Sequence, residues 1–193
     1  WLSRPKSEYA RHVLDELRCS ASTVAVVNDG LQRTILGLRL RYVEEQLLEV
    51  EAQVVYRNLS YYAPDAVIPM GGGADPWIVP VPDKQRMTRE ALVTLAERYF
   101  DSSSDASLLP AHAPSCKRTQ NGVLLGRDGS CAMPAGNERF EQRRFPVIDE
   151  VAGIVVAIVY YRNFVGMCQF KAQDDTLLNM EVIGGATAQG TGW

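Results

Sequence analysis

The chain is poor in the side chains that most often carry metal or acid–base chemistry. Its 193 residues include only two histidines, His12 and His112, and four cysteines, Cys19, Cys116, Cys131 and Cys168. No two cysteines form a Cys-x-x-Cys pair and the histidines lie far apart, which argues against a zinc site. Long apolar runs are also missing. The longest, Val151–Tyr161, covers eleven residues and includes Gly153, which is too short for a bilayer and suits a buried strand. Positive charge is not in excess: the formal net charge is −3, so the basic face that nucleic acid requires is not expected. Neither nucleic acid nor a membrane is an expected partner. What remains, 46% hydrophobic and 22% charged residues, is the make-up of an ordinary globular domain.

What the chain does have is a repeat. Lys171–Glu181 reads KAQDDTLLNME and Arg41–Glu51 reads RYVEEQLLEVE, so that Leu177 answers Leu47 and Glu181 answers Glu51 at one offset, 130. Val147–Val151 reads VIDEV and Val13–Leu17 reads VLDEL, with Asp149 answering Asp15 at an offset of 134. Two matched blocks in the same order indicate a duplicated strand unit. The copy near the start lacks what precedes the strands in the other copy, and no Met or signal pattern opens the chain at Trp1. Polypeptide upstream of Trp1 is therefore expected.

Residues 9–17 carry apolar side chains at helical spacing, but their counterpart contains Pro146 and many β-branched residues, so a strand is expected over 9–15. Thr23–Val27 is a short strand, followed by an Asn28-Asp29-Gly30 turn. Thr34–Tyr42 and Leu47–Tyr56 alternate strictly, the second setting Leu48, Val50, Ala52 and Val54 against Glu49, Glu51 and Gln53. Asn58–Lys84, with five prolines and the Gly71–Gly73 run, is a linker through which no regular element is expected to persist. The Gly71–Gly73 run lacks the helix and lysine of a phosphate cradle. Thr88 is a helix N-cap, Glu90 suits the first turn, and Leu92, Leu95, Ala96 and Tyr99 make one stripe, so Arg89–Phe100 is an amphipathic helix. Strands follow, with a bend at Asn121-Gly122, and a Gly- and Thr-rich tail ends on Trp193. The expected class is α+β: a curved antiparallel sheet wrapped around a helix, preceded by the β-meander of an incomplete first copy. The boundaries are 1–57 for that meander, 58–85 for the linker and 86–193 for the complete domain.

The segments ERYFDSSSD, LLPAHAPSCKRTQNG and RRFPVIDEVAGIVVAIVYY, with the closing GTGW, resemble the SnoaL-like branch of the nuclear-transport-factor-like cone superfamily, nearest to two-copy members from fungi and bacteria. The resemblance covers 86–193 well, and 10–57 as the end of a first copy. It implies an open cone that takes a small, largely apolar or aromatic ligand without a cofactor, and homo-oligomers formed through the sheet. It also implies, where there is turnover, lyase, isomerase or cyclase chemistry. A non-catalytic structural or oligomer-forming module is the alternative.

The cone is expected to be lined by Tyr99, Arg118 and Asn121, joined by Arg144, Asp149, Tyr160 and Glu181. A carboxylate held in an apolar cavity can act as base or acid, and a neighbouring arginine can hold a developing oxyanion. Asp149 with Arg118 or Arg144 is the favoured pair, and His112 is a further candidate base. Each has a plainer reading. Asp149-Glu150 precedes Gly153 as turn residues do, and the first copy keeps the same pair. Arg118 alternates with Lys117, so one of the two faces outward. His112 sits between Pro110 and Pro114 as a surface residue, and His12 is a strand-face residue. Glu181, matched by Glu51, suits a structural partner for an arginine. Asn121 stands about where ketosteroid isomerases place their catalytic aspartate, and an amide cannot be that base. The branch's usual glutamate just before it is Gln120 here. Cys116 and Cys131 bracket a polar loop and either pair across it or stay free. With the sequon at Asn58, pairing would point towards an extracellular protein.

Overall fold

The computed structural model describes residues 6–28, 30–57, 61–69, 75–125, 130–132 and 140–186. The Asn58 sequon, the Gly71–Gly73 run and the Trp193 tail lie outside the described residues.

Among the described residues ten strands build two sheets. The first is an antiparallel meander of β1 (Lys6–Asp15), β2 (Ser20–Asn28), β3 (Arg33–Val43) and β4 (Gln46–Val55). The second has the order β6-β5-β10-β9-β8-β7 and is built from β5 (His112–Gln120), β6 (Val123–Leu124), β7 (Glu141–Asp149), β8 (Ile154–Tyr161), β9 (Phe164–Gln173) and β10 (Thr176–Ala186). Its strands β7 to β10 also form an antiparallel meander, and β5 joins β10 in parallel. The strand expected at 9–15 is thus present, against the helical spacing of its apolar residues. The two β3–β4 and β9–β10 hairpins turn through residue pairs of the same kind, Glu44-Glu45 and Asp174-Asp175, all at positive φ between 49° and 65°. Two residues in the left-handed region match the twist of the strands they join.

Helix α1 (Pro64–Val67) and a 3-10 turn at Asp83–Gln85 occupy the segment in which no regular element was expected. The proline sits in the first turn of α1, where its missing N–H costs nothing, and Val67 packs with Val24, Ile35 and Ile183. Lys171 on β9 stitches the segment to the second sheet: its Nζ donates to the carbonyls of Trp77, at 3.1 Å, and Val79, at 2.6 Å, and also to that of Ala152 in the β7–β8 turn. Burial holds the Lys171 pKa below its ordinary value.

Helix α2 (Arg89–Asp101) starts as expected, with Thr88 accepting from Ala91 N at 3.2 Å. It lies over β7 and β8 and buries Leu92, Leu95, Ala96, Tyr99 and Phe100. Beneath it are Ile148, Val155, Ala157, Val159, Cys168, Phe170, Ala172, Leu177, Met180 and Val182, all from one face of the second sheet. The opposite face of that sheet packs on the first sheet: Val13 meets Val147, Ile154, Val156 and Met167, and Ile183 meets Val24 and Ile35. The order of layers is therefore α2, second sheet, first sheet.

One orientation departs from the usual use of an alternating strand. In β4 the apolar residues Leu48, Val50 and Val54 are exposed by 58%, 57% and 41%, while Glu49, Glu51 and Gln53 are turned inward and half-buried. The reason lies in the neighbouring strand β3, which supplies Arg39, and in the second sheet, which supplies Arg144. Arg39 and Arg144 face those glutamates, with Arg144 Nη2 2.5 Å from Glu51 Oε1 and Arg39 Nη1 3.1 Å from Glu51 Oε2.

Candidate functional site

Along β5, Lys117 is exposed while Cys116 and Arg118 turn towards α2, which resolves the alternation of Lys117 and Arg118 in favour of an inward Arg118. Cys116 forms a disulfide with Cys131, their Cα atoms 5.4 Å apart. This bond holds the Cys131 carbonyl where Tyr99 Oη donates to it at 2.9 Å. Tyr99 and Phe100 both stand edge-on to Phe170, at 5.2 and 5.3 Å between centroids, and Phe140 stacks obliquely between Phe100 and Tyr161. Such rings form a rigid apolar wall.

Arg118 enters this wall as a charge. Its Nε is buried and has no hydrogen-bond partner among the described residues. The guanidinium acts electrostatically on Tyr99 and Cys168. Burial pushes the Cys168 thiol up to about 12 and the Tyr99 phenol well above its ordinary range, and the Arg118 charge opposes both shifts. Neither group is therefore an anion at neutral pH. An arginine N–H kept from water and lacking an acceptor is suited to a carboxylate, phosphate or carbonyl oxygen brought by a ligand.

The other candidates lie elsewhere. Asp149, on β7, is separated from Arg118 by β8, β9 and β10, and its Oδ1 accepts from Ala152 N at 2.8 Å to close the β7–β8 turn. Asp15, its counterpart in the repeat, does the same job by accepting from Arg18 N at 3.2 Å. His112 is exposed at the first position of β5, with Nδ1 3.3 Å from the Pro110 carbonyl. Asn121 is buried and spent on backbone: its amide donates to Tyr61 O and Gly184 O, at 3.1 and 2.8 Å, and accepts from Gly184 N at 3.0 Å. Tyr160 packs with the cluster between the sheets, and Arg144 and Glu181 also lie in that layer. Only Tyr99 and Arg118 of the expected set share a wall.

The layer between the sheets holds a network for which the sequence had supplied only Glu181. Arg11 Nη2 donates to Glu181 and to Gln169 Oε1, the latter at 2.9 Å, and the guanidinium lies 4.5 Å over the Trp77 ring. Tyr9 Oη donates to Asp75, whose carboxylate is 4.0 Å from Arg11 Nη1. An arginine at an inward strand position beside Val13 was the available signal, and the sequence cannot say which strand faces it. Asp15, Asp75 and Glu181 are the buried carboxylates among the described residues, and all three are paired in this layer or at its edge. Among the described residues no cluster of histidine, cysteine and carboxylate side chains has the make-up of a metal site.

The model of a family described as a domain of unknown function, DUF8021, matches residues 85–181, half of the chain. No curated protein and no solved structure matches it.

Proposed function

The chain belongs to the DUF8021 family, and we propose that it is a two-copy, SnoaL-like cone protein that binds a small apolar or aromatic molecule bearing an anionic or carbonyl oxygen. The ligand lies against the wall under α2 and presents that oxygen to Arg118. The observation that carries this reading is the buried Arg118 Nε, without a partner among the described residues, beside Tyr99 and Cys168. The cone reading is supported by a helix that precedes its sheet and lies across one face of it. The two-copy reading is supported by the matched meanders and by the identical turn-closing roles of Asp15 and Asp149.

Binding is favoured over turnover, because Asp149 and His112 are placed away from Arg118 and the buried carboxylates are paired elsewhere. The lyase, isomerase or cyclase version would need a base other than these. The Cys116–Cys131 disulfide favours an oxidising compartment, in keeping with export.

The experiment is a calorimetric titration of the chain with a panel of aromatic and alicyclic carboxylates, repeated on Arg118→Met. Saturable binding by the wild type, weakened at least about tenfold in the variant, is expected from the loss of a charge-assisted hydrogen bond. Binding of equal strength in both would refute the role of Arg118, and no binding to any member would refute the ligand class.

A second reading, a structural module that assembles through its sheets, is favoured by one observation: the outer face of the first sheet carries exposed Leu14, Leu47, Leu48, Val50 and Val54.

A further inference from the structure

That outer face has a counterpart already covered within the molecule. At the offset of Asp149 from Asp15, Leu14, Ala21, Thr23 and Ala25 answer Ile148, Val155, Ala157 and Val159. At the offset of Leu177 from Leu47, the residues Leu38, Leu40, Tyr42, Leu47, Val50 and Ala52 answer Cys168, Phe170, Ala172, Leu177, Met180 and Val182. Every one of these second-sheet residues belongs to the core under α2. The strand pairings place the first-sheet residues on one face as well: Leu14 is opposite Ala21, Ala21 opposite Leu40, and Leu40 opposite Val50.

The difference is what covers them. Ile148, Leu177 and Met180 are 2%, 0% and 2% exposed, while Leu14, Leu47 and Val50 are 56%, 47% and 57% exposed. A hollow of about 230 Å³ lies on this face between Leu14, Ala21 and Tyr42. It is open at the level where the second sheet has Ile148, Val155 and Ala172 under its helix. The layer order is thus helix, sheet, sheet, with one further apolar face.

We propose that this face docks an amphipathic α-helix carrying a leucine and aromatic stripe like that of α2, and that the helix stands ahead of β1 in the polypeptide as α2 stands ahead of β7. The fit is of shape and chemistry: a meander of the same strand order, an apolar face at matched positions, and a hollow for a large side chain. Turned outward as it is, this face would otherwise leave in water a row of leucine and valine side chains larger than a lone surface apolar residue. Because the opposite face is occupied by the second sheet, the helix has one side on which to dock. The proposal rests on the two-copy reading and is independent of the ligand at Arg118, so its failure and that of Arg118 binding are read in separate experiments.

The test adds a synthetic peptide of residues 87–104, which contains α2 and its cap, to the whole chain. Binding is followed by fluorescence anisotropy, with a peptide in which Leu92, Leu95 and Tyr99 are replaced by serine as control. Saturable binding of the native peptide, absent for the serine peptide and at least about tenfold weaker for a Val50→Glu chain, is expected for loss of one buried apolar contact and burial of a charge. Circular dichroism of Val50→Glu, a change at an exposed position, checks that the variant keeps its fold. Light scattering on the chain alone tests the other occupant, a second copy. A dimer that Val50→Glu separates would overturn the proposal. So would failure of the native peptide to bind, or equal binding to the Val50→Glu chain.

Discussion

Arg11 on β1 and Glu181 on β10 form an ion pair across the two sheets, with side chains only 2% and 5% exposed. The reverse pair is also present: Arg144 on β7 binds Glu51 on β4. Each sheet thus supplies one arginine and one glutamate to the other, and the two glutamates are the pair matched in the sequence repeat. In the buried pair, burial alone would favour the neutral arginine, but the charge and hydrogen bond of Glu181, together with Tyr9 and Asp75, outweigh it, so the Arg11 pKa lies above its ordinary value.

Replacing Arg11 with leucine is expected to destabilise the chain by about 3–5 kcal/mol, because Glu181 is left charged and unpaired in the interior. The double variant Arg11→Leu, Glu181→Leu should lose much less. Urea denaturation of the single and double variants measures the coupling, and additive losses would show that the pair does not act as a unit.

Acid should loosen the seam between the first sheet and α2. Burial tends to raise the Asp15 pKa, but hydrogen bonds from Arg89, from Ile148 N and from Arg18 N prevail and hold it below the ordinary carboxylate value. The unfolded chain therefore takes up this proton more readily than the folded one. The stabilisation is complete above about pH 4 and fades as pH falls through the folded pKa. Asp15→Asn should be less stable at neutral pH and should show a shallower loss on acidification. Parallel pH dependences in urea melts would contradict this.

Reduction of the Cys116–Cys131 disulfide, which closes a loop with a sequence separation of 15, should cost about 3 kcal/mol. Melting with and without reductant measures the shift, and a Cys116→Ser, Cys131→Ser variant should melt alike in both conditions.

Gly122, at φ +82°, follows Asn121 in a tight turn, and a Cβ there would run into the Ala63 carbonyl. Gly122→Ala is expected to cost more than about 1 kcal/mol, since alanine disfavours that φ and α1 would have to move. A melting temperature equal to that of the wild type would show that the turn relaxes without cost.

Asp149→Ala should remove the turn bond to Ala152 N, worth about 1 kcal/mol, and leave ligand affinity at Arg118 unchanged. A large loss of affinity would restore Asp149 to the site.

The alternation in β3 and β4, the capped stripe of α2 and the Asn121-Gly122 bend were legible in the sequence, because strand and helix periods and turn preferences act over a few neighbouring residues. The repeat also told strand from helix at 9–15, where local spacing pointed the other way. Direction was not legible. A strict alternation says that Val50 and Glu51 point opposite ways, and either side can be inward when a sheet has a second layer to meet. Here Arg39 and Arg144 draw Glu51 in, and Val50 is left outside. The site divided for the same reason: Arg118 and Tyr99 meet under α2, while Glu181 meets Arg11 from the far end of the chain. Which side chains meet depends on how separate sheets stack, a long-range packing decision that no local pattern encodes.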